Sequence, residues 1–175
     1  MLVSALGLTV LDQAVKRAVV STMSLGESVE VIGSIVRLTR TSNTGGAFGL
    51  LRGRSSWFIV VSILAAAGIA AFSRRLARAP GIERIAFTLI LGGALGNLID
   101  RIRTGAVVDF IDIGGSAYRW PAFNVADSCI TIGVTLLAIS LVFLRGARLD
   151  LRRSSPDSAS ETGAGSPAHA PRRRA

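Results

Sequence analysis

Phe123-Asn124-Val125-Ala126-Asp127-Ser128 opens onto Cys129–Leu144, a run that carries no charge at all. An apolar run of that length, with its one charge at the start, reads as a membrane-spanning helix rather than a buried strand. Asp127 stands at its mouth. A carboxylate placed there gives up hydration, which is costly unless the group is compensated or does work. Upstream, Val107-Val108-Asp109-Phe110 sets a second carboxylate at the edge of apolar sequence. Everything else in the chain can be read by its distance from these two acids.

Half of the 175 residues are hydrophobic, and the mean hydropathy is +0.52. That is too apolar for an ordinary soluble domain and suggests several membrane spans. The net charge is +9, and Lys16 is the single lysine. Such a charge alone would fit nucleic acid or anionic lipid. Here the arginines flank apolar segments, so membrane phospholipid is the expected partner and nucleic acid is not. Cys129, the single cysteine, lies within the apolar run and reads as a small core residue. It excludes an intrachain disulfide and a cysteine metal cluster. His169, the single histidine, falls in a polar tail and removes histidine triads and histidine metal sites. No metal and no cofactor are expected. The chemistry is left to Asp, Asn, Ser, Arg and Lys16.

The hydropathy pattern predicts an all-α membrane protein with four transmembrane helices, at about 1–20, 57–73, 83–99 and 124–144. The first is interrupted by Asp12, Lys16 and Arg17, so either it continues past them or the true start lies upstream of Met1. It lacks the basic leading region of a cleavable signal peptide. Asp12 and Lys16 are four apart and can pair on one helical face. Ser28–Ile32 and Ile35–Arg40 alternate apolar and polar around Gly33-Ser34, which predicts two short strands. The polar loop that follows, Thr41–Gly49, carries three glycines. Arg103–Pro121 reads as a loop, with Tyr118 and Trp120 as interface anchors; Trp57 anchors the second span. Residues 1–148 form the expected membrane domain, and 149–175 an Arg-, Ser-, Pro- and Ala-rich tail without apolar period, expected to be disordered and basic. Arginines cluster at 74–84 and 145–153, which places both termini in the cytoplasm and Asn43, Asp100, Asp109 and Asp127 at the outer face.

Asn124 and Asp127 are three apart and share one face of the fourth helix; Asn97, Asp100 and Arg101 cluster at the outer end of the third. Read from the residues alone, Asp127 is either a catalytic acid or a helix-capping structural one. Asp109 is a plain loop acid unless Asp127 gives it a partner. Asn97 and Asn124 fit interhelical hydrogen bonding as well as a site. Asn43 fits a turn, and Asp100 fits an ion pair with Arg101. Two carboxyls held together share a proton. One can then activate water while the other donates to a carbonyl oxygen, which is hydrolysis without a covalent intermediate. A proton-coupled transporter is the alternative, although it needs acids spread through the membrane depth.

Five blocks bear on the choice: Leu11-Asp12-Gln13 with Lys16, Asn43–Gly49, Gly92–Arg101, Val107–Phe110 and Phe123–Ser128. In order and spacing they resemble the motif blocks of lipoprotein signal peptidase (signal peptidase II), across roughly residues 8–145. The resemblance implies a monomeric aspartic endopeptidase of the bacterial inner membrane, with four helices and a small extracytoplasmic β-cradle. Its substrates would be prolipoproteins carrying diacylglycerol, cut just before the lipid-modified cysteine, and it would be a target of globomycin. By motif position Asp109 and Asp127 are the catalytic pair, and Asn43, Asn97, Arg101 and Asn124 bind substrate or position the acids. Asp12, Lys16, Asp100, Gly46 and Phe48 are supporting residues.

Overall fold

The computed structural model describes residues 1–45, 55–76 and 78–144. Gly46, Phe48 and the tail 149–175 lie outside the described residues. The chain divides into a unit of Met1–Ala138 and a second that begins at Ile139. The described part of the second ends in a π-helical turn, Ser140–Leu144, exposing Leu141, Val142 and Phe143.

Helix α1 spans Leu2–Thr22, about 32 Å at the helical rise. Its buried positions, Ala5, Thr9, Asp12, Gln13, Lys16 and Val19, fall at helical spacing on one stripe. Four of those six are polar or charged. The rest of its surface is largely apolar and open, with Val3 84% and Val10 67% exposed, and Arg17 is exposed near its C-terminal end. This is the reverse of a water-soluble amphipathic helix, where polar groups face out. It fits a helix whose outer surroundings are hydrocarbon.

Helix α4, Gly81–Thr104, is central. It packs against α1 and against α2, Ser55–Ala71, with the short α3, Ser73–Leu76, between α2 and α4. α4 contacts α5, Val125–Ile139, through small residues. A β-carbon on Gly93 would overlap the Ala126 carbonyl and Ile130, and one on Gly96 would meet the Asp12 carboxylate. The glycine cluster therefore brings α1 and α5 onto α4 at backbone distance. α4 ends where Gly105 takes φ 76, and the Gly105 amide donates to the Arg101 carbonyl at 3.0 Å. The helix is longer than the expected span of 83–99 at both ends. Among the described residues, Gly81–Thr104 and Val125–Phe143 are long and apolar enough to cross a membrane; α2 is apolar but shorter.

The two expected strands are present as β1, Ser28–Ile32, and β2, Val36–Asn43. The stretch expected to be a loop, 103–121, instead contains a third strand, β3, Val107–Ile113. The three form an antiparallel sheet in the order β1-β2-β3. Val107–Ile113 carries a local strand signal, a run of β-branched and aromatic residues between Gly105 and Gly114, and β2 supplies its ladder. Phe110 joins Val19 and Met23 in a small core, with Val15, Leu38, Ile111 and Val125 around it. That core fixes the sheet to the end of α1 and the start of α5.

Candidate active site

Two features of β3 place Asp109. On one side β2 pairs Thr41 with Asp109, after an irregularity between Leu38 and Thr41 that adds a residue to β2. Asn43 lies two residues beyond Thr41 on the same face, a diagonal neighbour of Asp109. Its Nδ2 donates to Asp109 Oδ2 at 2.9 Å, while its Oδ1 accepts the Gly45 amide at 2.9 Å. On the other side Phe110 and Ile111 donate to the Phe123 carbonyl at 3.0 and 2.8 Å, and the Phe123 amide returns to Ile111. The chain just before α5 is thereby laid along β3. Asn124, the next residue, meets Asp109, and its Nδ2 donates to Asp109 Oδ1 at 2.7 Å.

Asp127 is placed by the helix start itself. The Asp127 amide donates to Asn124 Oδ1 at 2.9 Å, and the Asn124 amide donates to Asp127 Oδ2 at 3.3 Å. This reciprocal pair is an Asn-x-x-Asp version of the capping box. It satisfies helix-terminal donors and locks Asp127 in the first turn, where the helix dipole favours a carboxylate. Asn97 Nδ2 donates to Asp127 Oδ1 at 2.7 Å. Asn124 thus touches both acids, and the two interact electrostatically.

Asp109 is 1% exposed. Burial pushes its carboxyl up to about 6, and the neighbouring Asp127 charge adds to the rise. The Asn43 and Asn124 donors and the Lys16 charge act the other way. Asp109 therefore gives up its proton at a higher pH than an ordinary carboxyl does.

Beneath the acids lies a buried ionic cluster. Lys16 Nζ contacts Asp12 Oδ2 at 2.9 Å, Asp100 Oδ2 at 2.8 Å and Asn97 Oδ1 at 2.9 Å. The pairing of Asp12 with Lys16 expected from their spacing is present. Asp100 corrects the expectation, since it pairs with Lys16 and not with its sequence neighbour Arg101. Adjacent helix positions do not face each other, and Lys16 is brought alongside by the α1–α4 packing. Asp12 Oδ1 also accepts the Ala126 amide at 3.0 Å, so α1 caps α5. Gln13 is a site neighbour that was not singled out as a site residue: its Nε2 donates to Asp100 Oδ1 at 2.7 Å and to the Gly96 carbonyl at 3.2 Å. Its i, i+3 spacing to Lys16 was the available signal. Arg101 is buried, donates from Nη2 to the Gly45 carbonyl at 3.2 Å and stacks 4.8 Å over the Phe58 ring, while its Nε has no hydrogen-bond partner among the described residues. Asp12, Asp100, Asp109 and Asp127 gather at one level, while Glu83, also buried, lies at the opposite end of α4. No group of metal-ligating side chains forms among the described residues.

A bacterial membrane enzyme solved by the in meso method superposes on this fold with a TM-score of 0.76 at 35% identity, covering 89% of this chain and 91% of its own. A second such enzyme gives 0.72 at 38% identity, covering 81% and 92%. The fold is therefore that of bacterial membrane enzymes. The profile of signal peptidase (SPase) II matches residues 4–143. A lipoprotein signal peptidase of Geobacter sulfurreducens is 46% identical over 140 residues, 78% of this chain and 88% of that protein. One of Staphylococcus haemolyticus is 38% identical over 141 residues, 81% and 89% respectively. The chain belongs to the signal peptidase II family. Its function is that of a signal peptidase II, a protease, and the transporter alternative is set aside.

Proposed function

We propose that the chain is an aspartic endopeptidase in which Asp109 and Asp127 are the catalytic pair. It removes signal peptides from diacylglyceryl-modified prolipoproteins, cutting before the lipid-bearing cysteine. The observation that carries this reading is Asn124, whose side chain bonds Asp109 and whose backbone bonds Asp127. Asp127, acting as the carboxylate that accepts two N–H donors, takes a proton from water. Protonated Asp109 donates to the scissile carbonyl oxygen, and the proton later passes to the leaving amine. Asn43, Asn97 and Asn124 hold the acids. Arg101, whose Nε has no partner among the described residues, binds the substrate backbone. Asp12, Lys16 and Asp100 support them from below, with Gly46 and Phe48 assigned by motif alone.

The enzyme sits in the inner membrane as a monomer of four spans, contributed by α1, α2, α4 and α5, with both termini cytoplasmic and the sheet outside. The inverted burial of α1 and the exposed apolar faces of α2 and α5 support this placement. The peptidase domain is residues 1–148; the tail 149–175 lies beyond the family match and adds only attraction to phospholipid headgroups. The test is a gel-shift assay on a diacylglyceryl-modified precursor. Asp109→Asn and Asp127→Asn should each lower cleavage by at least about 10³-fold while the protein still inserts. Deletion of 149–175 should leave the rate unchanged. Normal processing by both Asn variants would exclude the dyad.

A further inference from the structure

We infer that Lys16 is a positioning residue: it sets the orientation of the Asn97 amide and, through that amide, holds Asp127 as the proton-accepting member of the pair. This rests on the dyad reading above. An ammonium has three N–H donors, and Lys16 directs them at three acceptors, Asp12, Asp100 and Asn97. Two of these bonds neutralise buried acids. The third goes to a neutral amide oxygen, and that amide is the one that bonds Asp127.

An amide between an ammonium and a carboxylate has one workable orientation. Its oxygen must face Lys16 and its NH2 must face Asp127, as the 2.9 and 2.7 Å contacts show. The flipped amide would set NH2 against the ammonium and oxygen against the carboxylate, losing both bonds and adding two repulsions. The same Asn97 oxygen also accepts Asn124 Nδ2 at 3.2 Å, the group that bonds Asp109. Lys16 therefore keys a hydrogen-bond relay to both acids without touching either. Among the described residues, the charges around Asp127 are Lys16 and Asp12 from α1, Asp100 and Arg101 from α4, and Asp109 from β3. Of the two cations in that set, Lys16 reaches the Asp127 carboxylate through a single intervening amide, Asn97. A role in charge balance alone would need the cation but not its third bond.

The two roles separate in Lys16→Arg, which keeps the charge but replaces three convergent donors with a planar fork. Lys16→Met with Asp100→Asn serves as the second variant, since it removes the ammonium together with one of the acids it would strand. Both are assayed as full chains in detergent on a diacylglyceryl lipopeptide across pH, with elution profile and circular dichroism as folding checks. The expected result is a fall of about tenfold or more in kcat with KM within about threefold. The acidic limb of the kcat/KM profile moves up by about one pH unit, because the ionised base has lost a donor. A wild-type profile in Lys16→Arg would overturn the inference, since charge would then suffice. So would a loss that is uniform in pH or confined to KM, or failure of both variants to fold. Asp109→Asn and Asp127→Asn run alongside: if they cleave normally, the dyad itself is wrong and the relay falls with it, whatever Lys16 does.

Discussion

At the residue scale the acid that matters most for pH is Asp109. Its carboxyl is raised to about 6 by burial and by Asp127, so the folded protein holds that proton more tightly than the unfolded chain does. The stabilisation is fully present below the ordinary carboxylate range and is lost as pH rises through about 6. Its size is on the order of 2–3 kcal/mol. Thermal unfolding in detergent should show a fall in Tm between about pH 4 and about pH 6, and Asp109→Asn should remove that part of the fall. Cleavage should decline over the same upper range if Asp109 must be protonated to act. An unchanged alkaline limb in a variant that leaves Asp109 more open to water would count against it. Asp109 was legible in the sequence only as an acid beside apolar residues. Its burial depends on β2 and on Asn124, and no pattern local to Val107–Phe110 encodes either. Asp127 was easier to read, because a charge at the mouth of an uncharged run has few structural uses.

At the scale of elements, the helices and the first two strands follow from hydropathy and alternation, and Val107–Ile113 carries the β-branched and aromatic run of a strand although it reads as loop within 103–121. The partner of Asp100 is long-range: Asp100 is paired by a residue 84 positions earlier, Lys16, rather than by adjacent Arg101. Sequence neighbours compete for attention, but a helix turns them to different faces. The glycines of α4 give a direct test of packing. Gly93→Ala puts a methyl against the Ala126 carbonyl and should cost about 1–3 kcal/mol by forcing α5 outward. It should also reduce cleavage, because Asp127 travels with α5. Gly68→Ala in α2 meets nothing within 4 Å and should leave Tm unchanged or slightly raised. Equal Tm for the two variants would mean that α4 and α5 are not in backbone contact.

For the whole molecule, the organising fact is that α1 buries Asp12 and Lys16 and exposes most of its large apolar residues, with Arg17 open near its C-terminal end. A charge added to the open face should therefore be expelled where a charge on the buried stripe is retained. Val10→Arg should lower membrane insertion by about 2.5–3.5 kcal/mol, whereas Val10→Leu should insert normally. Both are read as the inserted fraction of a glycosylation-tagged chain, and equal insertion would argue that this face meets protein or water. The bond from Asp12 to the Ala126 amide has a consequence in time. It joins positions 114 apart, one made near the start of synthesis and the other near the end of the membrane domain. Closing a loop of that length costs about 4 kcal/mol in chain entropy, which local contacts cannot offset until the partner exists. If Asp109 and Asp127 are the catalytic pair, a nascent chain that has not yet released α5 from the ribosome holds Lys16, Asn97 and Asp109 without Asp127, and cleavage waits for α5 to dock onto α1.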